Sequence, residues 1–265
     1  MFDDGDQIDR TARSIRRRIA ELSCHAKSAH FGSSLSCVEI LDAILRVANI
    51  HPGNLTAADR DRLVVSKGHA AMGVYAALEV HGLLPRALLA DYLGDGSALW
   101  GHVTRTAAAP VIDASTGSLG HGLGLALGYA QGYRLTRRDG TVFCVLSDGE
   151  LDEGSTWEAV LYAGARRFDN LVAVVDDNKI QSLDHVVNVL PLEPLLEKWR
   201  AFHWDAVSVD GHDSGALLAA LRRPRGGAPR VIIAHTVKGR GVPRIENTVA
   251  SHYKPALADD ADLFS

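Results

Sequence analysis

Thr141-Val-Phe-Cys-Val-Leu-Ser147, closed by Asp148-Gly149, and Leu171-Val-Ala-Val-Val175, closed by Asp176-Asp177-Asn178, are two short apolar runs that end alike. Both are rich in valine and stop at turn-forming acids and amides, which spells a strand. Between them, Ser155 to Arg167 carries apolar residues at helical spacing, and Ser155 and Glu158 stand as a capping box at its start. Strand, helix and strand make one βαβ unit. Neither strand alternates polar with apolar, so both sheet faces must be covered. Outward from this unit, strands are predicted at Leu63 to Ser66, Ala206 to Val209 and Arg230 to His235, with helices at Cys37 to Ala48 and Asp213 to Leu221. Ile8, Ala12, Ile15, Ile19 and Leu22 form a helical stripe near the start. Arg13, Arg16, Arg17 and Arg18 fall mostly on its other, solvated faces. Alternation at these lengths predicts an α/β fold with a mostly parallel sheet flanked by helices on both faces. With no repeat and no linker, residues 1–265 read as one domain, and Arg222 to Pro229 as a surface turn.

Composition narrows the function. With 46% hydrophobic and 23% charged residues the chain has the makings of a sizeable core, and a net charge of -4 offers no field for nucleic acid or an anionic membrane. Small molecules are the expected ligands. Cys24, Cys37 and Cys144 are odd in number, widely spaced and set in apolar surroundings, as buried thiols of a reducing compartment are. The acidic start MFDDGDQIDR lacks the pattern of a signal peptide and no run suits a membrane span, so a cytoplasmic location is expected.

The chemistry gathers where strands end. Asp148 and Asn178 follow consecutive strands and emerge at the carboxyl edge of the sheet, the edge where open α/β folds bind ligands. A carboxylate, an amide oxygen and a main-chain carbonyl such as that of Ile180 are hard donors for Mg²⁺ or Ca²⁺, with phosphate oxygens and water completing the shell. The plainer alternative is that both residues only shape turns. Gly149 leaves room for a phosphate. Thr116 to Gly122 is a glycine-rich loop opening a helix predicted over Leu119 to Leu135, a source of N–H donors for an anion. Gly120, Gly124, Gly128 and Gly132 recur every fourth residue, making a nearly bare face pressed either on the sheet or on a partner chain. His30, His69, His102 and His252 lie in short or glycine-bearing segments without zinc-site spacing, which favours hydrogen bonding to phosphate and sugar oxygens. Lys238 reads as a phosphate-facing cation. Glu150, Asp152, Glu153 and Glu158 read as a solvated or helix-start cluster.

In order along the chain, HFGSSLSCVEIL (30–41), DRLVVSKGHAAMGVYAAL (61–78), ASTGSLGHGLGLALG (114–128), SDGELDEGSTWEA (147–159), DNLVAVVDDNKIQ (169–181) and HTVKGRG (235–241) resemble the N-terminal, diphosphate-binding domain of transketolase. The resemblance extends from about Ile15 to His252. It implies thiamine diphosphate held through a divalent cation by Asp148, Asn178 and the Ile180 carbonyl. It places Gly117, Ser118, Leu119, Gly149, His69, Lys238 and His252 around the cofactor with Ser33 close by, and lines the sugar channel with His30, His69, His102 and His252 as catalytic groups. It allows Glu153 and Glu158 to lie near a subunit contact. The family's Gly-Asp-Gly is Ser147-Asp148-Gly149 here, Gly-Gln-Gly is Gly120-His121-Gly122, and the common Trp-His-Gly is Ser251-His252-Tyr253. The turn Gln181 to Asp184 lacks a glycine often found there.

The family's pyrimidine-binding and C-terminal domains have no counterpart in this sequence. The resemblance therefore implies a split enzyme, the N-terminal subunit of a transketolase that transfers a two-carbon ketol unit from a ketose to an aldehyde acceptor, with sugars or sugar phosphates as substrates. Its partner is a C-terminal subunit carrying the pyrimidine-binding domain, in an α2β2 assembly. Two alternatives stand beside it: an acyloin-forming or deoxyxylulose phosphate synthase-like relative, and a non-catalytic regulatory paralogue. A dinucleotide-binding protein fits poorly, because no strand-linked Gly-x-Gly-x-x-Gly with a following ribose acid is present.

Overall fold

The computed structural model describes residues 4–265. Met1 to Asp3, from the acidic start, and the side chain of Ile8, first in the predicted stripe, lie outside the described residues. In chain order the elements are α1 (Asp4–Ala26), α2 (Phe31–Leu35), α3 (Val38–Val47), β1 (Arg62–Val65), α4 (Ala71–Val80), α5 (Arg86–Ala90), α6 (Gly122–Leu135), β2 (Val142–Ser147), α7 (Gly154–Ala165), β3 (Leu171–Asp177), α8 (Val186–Val189), α9 (Leu195–Ala201), β4 (Asp205–Asp210), α10 (Ser214–Leu221) and β5 (Arg230–His235).

All neighbouring strands are parallel, in the order β1-β2-β3-β5-β4. Strand side chains alternate between two apolar layers. Phe143, Val145, Val172, Val174 and Ile232 meet the layer built on α1, α3, α4 and α10. Cys144, Leu146, Ala173, Val175 and Ile233 meet the layer built on α6, α7 and α9. Period-two alternation with apolar groups on both sides explains the unbroken hydrophobic runs from which the strands were read. Winding proceeds from β1 to β3, jumps to the edge at β4 and returns to β5. The reversal falls at the carboxyl ends of β3 and β5, next to β2, the kind of place where open α/β folds bind ligands.

Three local expectations are corrected, and one of two open alternatives for the α6 glycine face is removed. Arg16 is buried, ion-paired with Glu39 at 2.6 Å, so it is no solvated residue; Arg18 reaches Glu79 at 3.1 Å. The α7 start has Glu153 as its cap residue, without a side-chain cap bond, and the Ser155 hydroxyl instead donates to the Gly120 carbonyl at 2.9 Å. A tertiary hydrogen bond has displaced the capping box. Helix α6 begins at Gly122, because Gly117 and Gly120 are held at φ 136° and 88°, which breaks the helix that the sequence predicted from Leu119. The glycine face of α6 points away from the sheet: a Cβ at Gly124, Gly128 or Gly132 would meet nothing within 4 Å.

Candidate functional site

Asp148 directly follows β2 and Asn178 follows β3, so the βαβ unit brings both to one edge. The Asp148 carboxylate accepts from the Gly149 N–H at 2.7 Å and the Lys179 N–H at 2.6 Å, and the Asn178 amide oxygen accepts from Ile180 N–H at 3.2 Å. Burial, and then the charge of nearby Asp176, push the Asp148 carboxyl up to about 7. A carboxylate in that state has too little compensating charge around it, and a cation would supply it. The Ile180 carbonyl accepts from the Lys238 ammonium at 2.9 Å, and that ammonium lies near enough to Asp148 to feel its charge. No group of three or more His, Cys, Asp or Glu side chains among the described residues could hold a metal alone. One carboxylate, one amide and one carbonyl do fit a hard cation whose remaining ligands come from phosphate and water.

The glycine-rich loop is fastened to this edge by Glu150. That side chain, expected in a solvated cluster, is fully buried. It accepts from the Gly120 N–H at 2.8 Å and from the Ser66 hydroxyl, and Ser66 in turn accepts from the Gly122 N–H at 3.0 Å. Burial raises its proton affinity. A Cβ on Gly117 would lie 2.6 Å from the His102 ring, so only glycine lets the loop pass this histidine. Ser118 is exposed and Leu119 half-buried beside it, while Gly149 packs against the Gln181 side chain.

His30 is the hub of the second half of the site. Its ring centroid lies 5.4 Å from His69, 5.8 Å from His102 and 5.3 Å from His252, and its backbone takes the left-handed conformation with φ 66°. The four histidines come from four separate segments, which spacing in the sequence cannot reveal. Burial, followed by the His102, Lys238 and Lys67 charges, lowers His30 to about 4; burial and Lys238 lower His252 to about 3; His69 is lowered well below its usual value, chiefly by burial. At neutral pH these three imidazoles are uncharged, able both to donate and to accept a hydrogen bond.

Lys238 joins the two halves. Fully buried, its ammonium contacts Ile180 O at 2.9 Å and His252 Nδ1 at 2.7 Å, and burial lowers its proton affinity to about 8. Lys67, which no sequence pattern singled out, is also fully buried and pairs with Asp176, whose carboxylate further accepts from Ser36 and Thr236. Its ammonium also donates to the Ser33 carbonyl at 3.0 Å, tying buried Ser33 in α2 to the end of β3. An indirect signal for this pair was present: the acids at 148, 176 and 177 crowd the ends of adjacent strands and require buried cations.

The parallel sheet, the strand-end oxygen donors and the anchored glycine loop define the class of thiamine diphosphate-binding folds. Residues 8–264 match the family described as "Transketolase, thiamine diphosphate binding domain", and the chain belongs to the transketolase family as its N-terminal part. It is 40% identical over 253 residues to the 6-deoxy-6-sulfo-D-fructose transketolase subunit SqwG of Clostridium sp. (strain MSTE9), covering 93% of this chain and 91% of that one. It is 36% identical to an apulose-4-phosphate transketolase subunit of Actinobacillus succinogenes, covering 97% and 94%. Rat transketolase is 38% identical over 92% of this chain but only 39% of its own length. Among solved structures, transketolase from Campylobacter jejuni superposes with a TM-score of 0.86 at 27% identity, covering 96% of this chain and 41% of that one. The chain thus spans about two fifths of the single-chain transketolases it matches. No described helix is long and apolar enough to cross a membrane.

Proposed function

We propose that this chain is the diphosphate- and metal-binding half of a two-chain transketolase, moving a two-carbon ketol unit from a ketose to an aldehyde acceptor. The observation that carries this is the Lys238 bridge, whose ammonium links the Ile180 carbonyl, one of the proposed donors for a metal diphosphate, to His252 of the histidine cluster. Asp148, Asn178 and the Ile180 carbonyl would hold Mg²⁺ or Ca²⁺; Gly117, Ser118, Leu119, Gly149, Ser33, His69, Lys238 and His252 would hold the cofactor. Thiamine diphosphate, when bound, supplies the carbon nucleophile and electron sink for cleaving and forming carbon–carbon bonds. His30, His69, His102 and His252 orient sugar hydroxyls and pass protons; for His30, His69 and His252, held neutral at pH 7, accepting a proton requires none to be lost first. Phosphate or sulfonate sugars fit by analogy with the substrates named for the two subunit relatives.

The partner in this reading is a C-terminal subunit bearing the pyrimidine-binding domain, assembled as α2β2. Subunit-type relatives are covered almost entirely by this chain, which supports a division between two polypeptides. The outward face of α6 supplies a docking surface. From Gly122 to Tyr133 it has no charged residue, and exposed Leu125, Leu161 and Tyr162 continue it onto α7. Bare glycine positions let another helix approach closely. In the same proposal residues 1–265 are one domain acting in the cytoplasm, consistent with three free thiols.

Calorimetry of the purified chain with thiamine diphosphate, with and without Mg²⁺, tests the binding half: uptake should depend on the metal. Ketol transfer by the mixture with its partner, and by neither chain alone, tests the rest. Metal-dependent uptake combined with an inactive mixture would return the regulatory reading.

A further inference from the structure

The histidine cluster has a deep end and an open end. Lys238, 1% exposed and bonded to His252, marks the deep end. At the open end stands Tyr253, 63% exposed, its ring centroid 4.6 Å from His252 and 5.7 Å from His30. Both contacts are edge-on, with interplanar angles of 73° and 64°, so the histidines steady the ring without covering it. Neither apolar layer of the fold includes Tyr253. Core packing therefore does not account for it.

The ring is nevertheless firmly mounted. Buried Ser251 donates its hydroxyl to the Thr248 carbonyl at 2.7 Å, His252 N–H donates to Val249 O at 3.0 Å, and Lys254 N–H donates to Ser251 O at 3.0 Å. The main chain is thus pinned on both sides of residue 253. A similar exposed ring, Trp100 at 61%, lies two residues before His102, and the Trp100 and His102 carbonyls both accept from the Tyr75 hydroxyl, at 3.1 and 3.0 Å. Large rings left in solvent beside polar groups suit a ligand with an apolar C–H face and hydroxyls on its rim, which is the chemistry of a sugar chain.

We propose that Tyr253 is a specificity-determining residue of this site, a platform on which the outer carbons of the acceptor sugar rest while its aldehyde end lies among the histidines. The assignment rests on the ketol-transfer reading above. A two-carbon aldehyde has no carbons beyond its reacting end to lay along the ring and gains least from it. An unbranched aldose of four or five carbons lays its C–H face on the ring. Tyr253 therefore raises kcat/KM for the longer acceptors over the shortest one.

The test uses the enzyme reconstituted with its partner chain. It compares kcat/KM for glycolaldehyde with that for four- and five-carbon aldoses in wild type, Tyr253→Gly and Tyr253→Phe, and measures association of the two chains and the dissociation constant for thiamine diphosphate with Mg²⁺ in each. Tyr253→Gly should lower the long-to-short ratio about fivefold or more, the size of effect one lost apolar contact has on discrimination. Tyr253→Phe should keep the ratio within about twofold, and cofactor affinity should stay level in both. An unchanged ratio in Tyr253→Gly overturns the proposal, and so does a raised one, which would make the ring an obstacle. Weakened association at constant ratio overturns it too, placing the ring in the contact between chains. A wild-type pair that transfers ketol units to no acceptor brings down the ketol-transfer reading itself, a result distinct from an active pair whose selectivity ignores residue 253.

Discussion

Replacing Asp148 with asparagine should stabilise the cofactor-free chain while destroying its metal-dependent uptake of thiamine diphosphate. The folded-state carboxyl is raised from 3.8 to about 7, first by burial and then by Asp176. Between those values the folded chain keeps a proton that the unfolded chain releases, so stability falls as pH rises through this window and the full penalty stands above about pH 7. About three units at about 1.4 kcal/mol each make that penalty about 4 kcal/mol. Asparagine never ionises, but its single oxygen cannot serve both the Gly149 and Lys179 N–H groups, a loss of about 1–2 kcal/mol. The net gain at pH 8 is about 2–3 kcal/mol, or about 5–10 °C in Tm for a chain of this size. At pH 5, where the wild-type carboxyl is protonated in the folded state, the gain should nearly vanish. Thermal melts of both proteins without cofactor at pH 5 and pH 8, with calorimetry of Mg²⁺ and thiamine diphosphate binding, provide the check. An Asp148→Asn chain that melts at or below wild type at pH 8, or that binds the cofactor with native affinity, would refute the reasoning.

Cofactor uptake should itself depend on pH. Because Asp148 must be ionised to hold a cation, affinity should drop about tenfold per unit below pH 7, and binding at pH 6 should release close to one proton; heats that do not vary with buffer ionisation enthalpy would contradict this. The double variant Gly124→Leu, Gly128→Leu should fold normally, since both positions face open space, yet fail to associate with the partner in analytical ultracentrifugation. Unimpaired association would remove α6 from the interface. Lys67→Met should cost about 3–5 kcal/mol by leaving Asp176 buried and uncompensated, with most of the loss recovered in Lys67→Met, Asp176→Asn, as denaturant titration can read.

Periodicity carried the scaffold into view. The runs at 142–147, 171–177 and 230–234 are buried from both sides, so local composition and tertiary environment agree, and the strand ends that present Asp148 and Asn178 could be placed from the sequence. Where a tertiary partner overrode a local preference, the sequence misled. Ser155 is a good capping residue in isolation, but in the fold its hydroxyl is taken by the Gly120 carbonyl. Glu150 reads as one acid among four, and its role depends on two N–H and O–H donors from segments that are distant in the chain. The glycine spacing in α6 was legible as a bare face, but only the structure tells which way that face points. The grouping of His30, His69, His102 and His252 was legible only through the family resemblance, since no local spacing joins four distant segments, and the place of Tyr253 at their rim emerges only in the fold.

The charge pattern of the site links its two halves. In the cofactor-free chain the Lys238 and Lys67 cations reinforce burial in holding His30 at about 4 and His252 at about 3. An anionic diphosphate beside Lys238 offsets that cation, which relieves the share of the depression that Lys238 causes while burial remains, so both imidazoles should rise in proton affinity. A group with a pKa near the working pH transfers protons best, so the cluster becomes better suited to acid–base work when the cofactor site is filled. Proton NMR titration of the histidine ring resonances, with and without Mg²⁺ and thiamine diphosphate, measures this directly. His30 and His252 should titrate at higher pH in the loaded chain, and midpoints that stay in place on loading would mean that Lys238 does not couple the diphosphate end to the histidines.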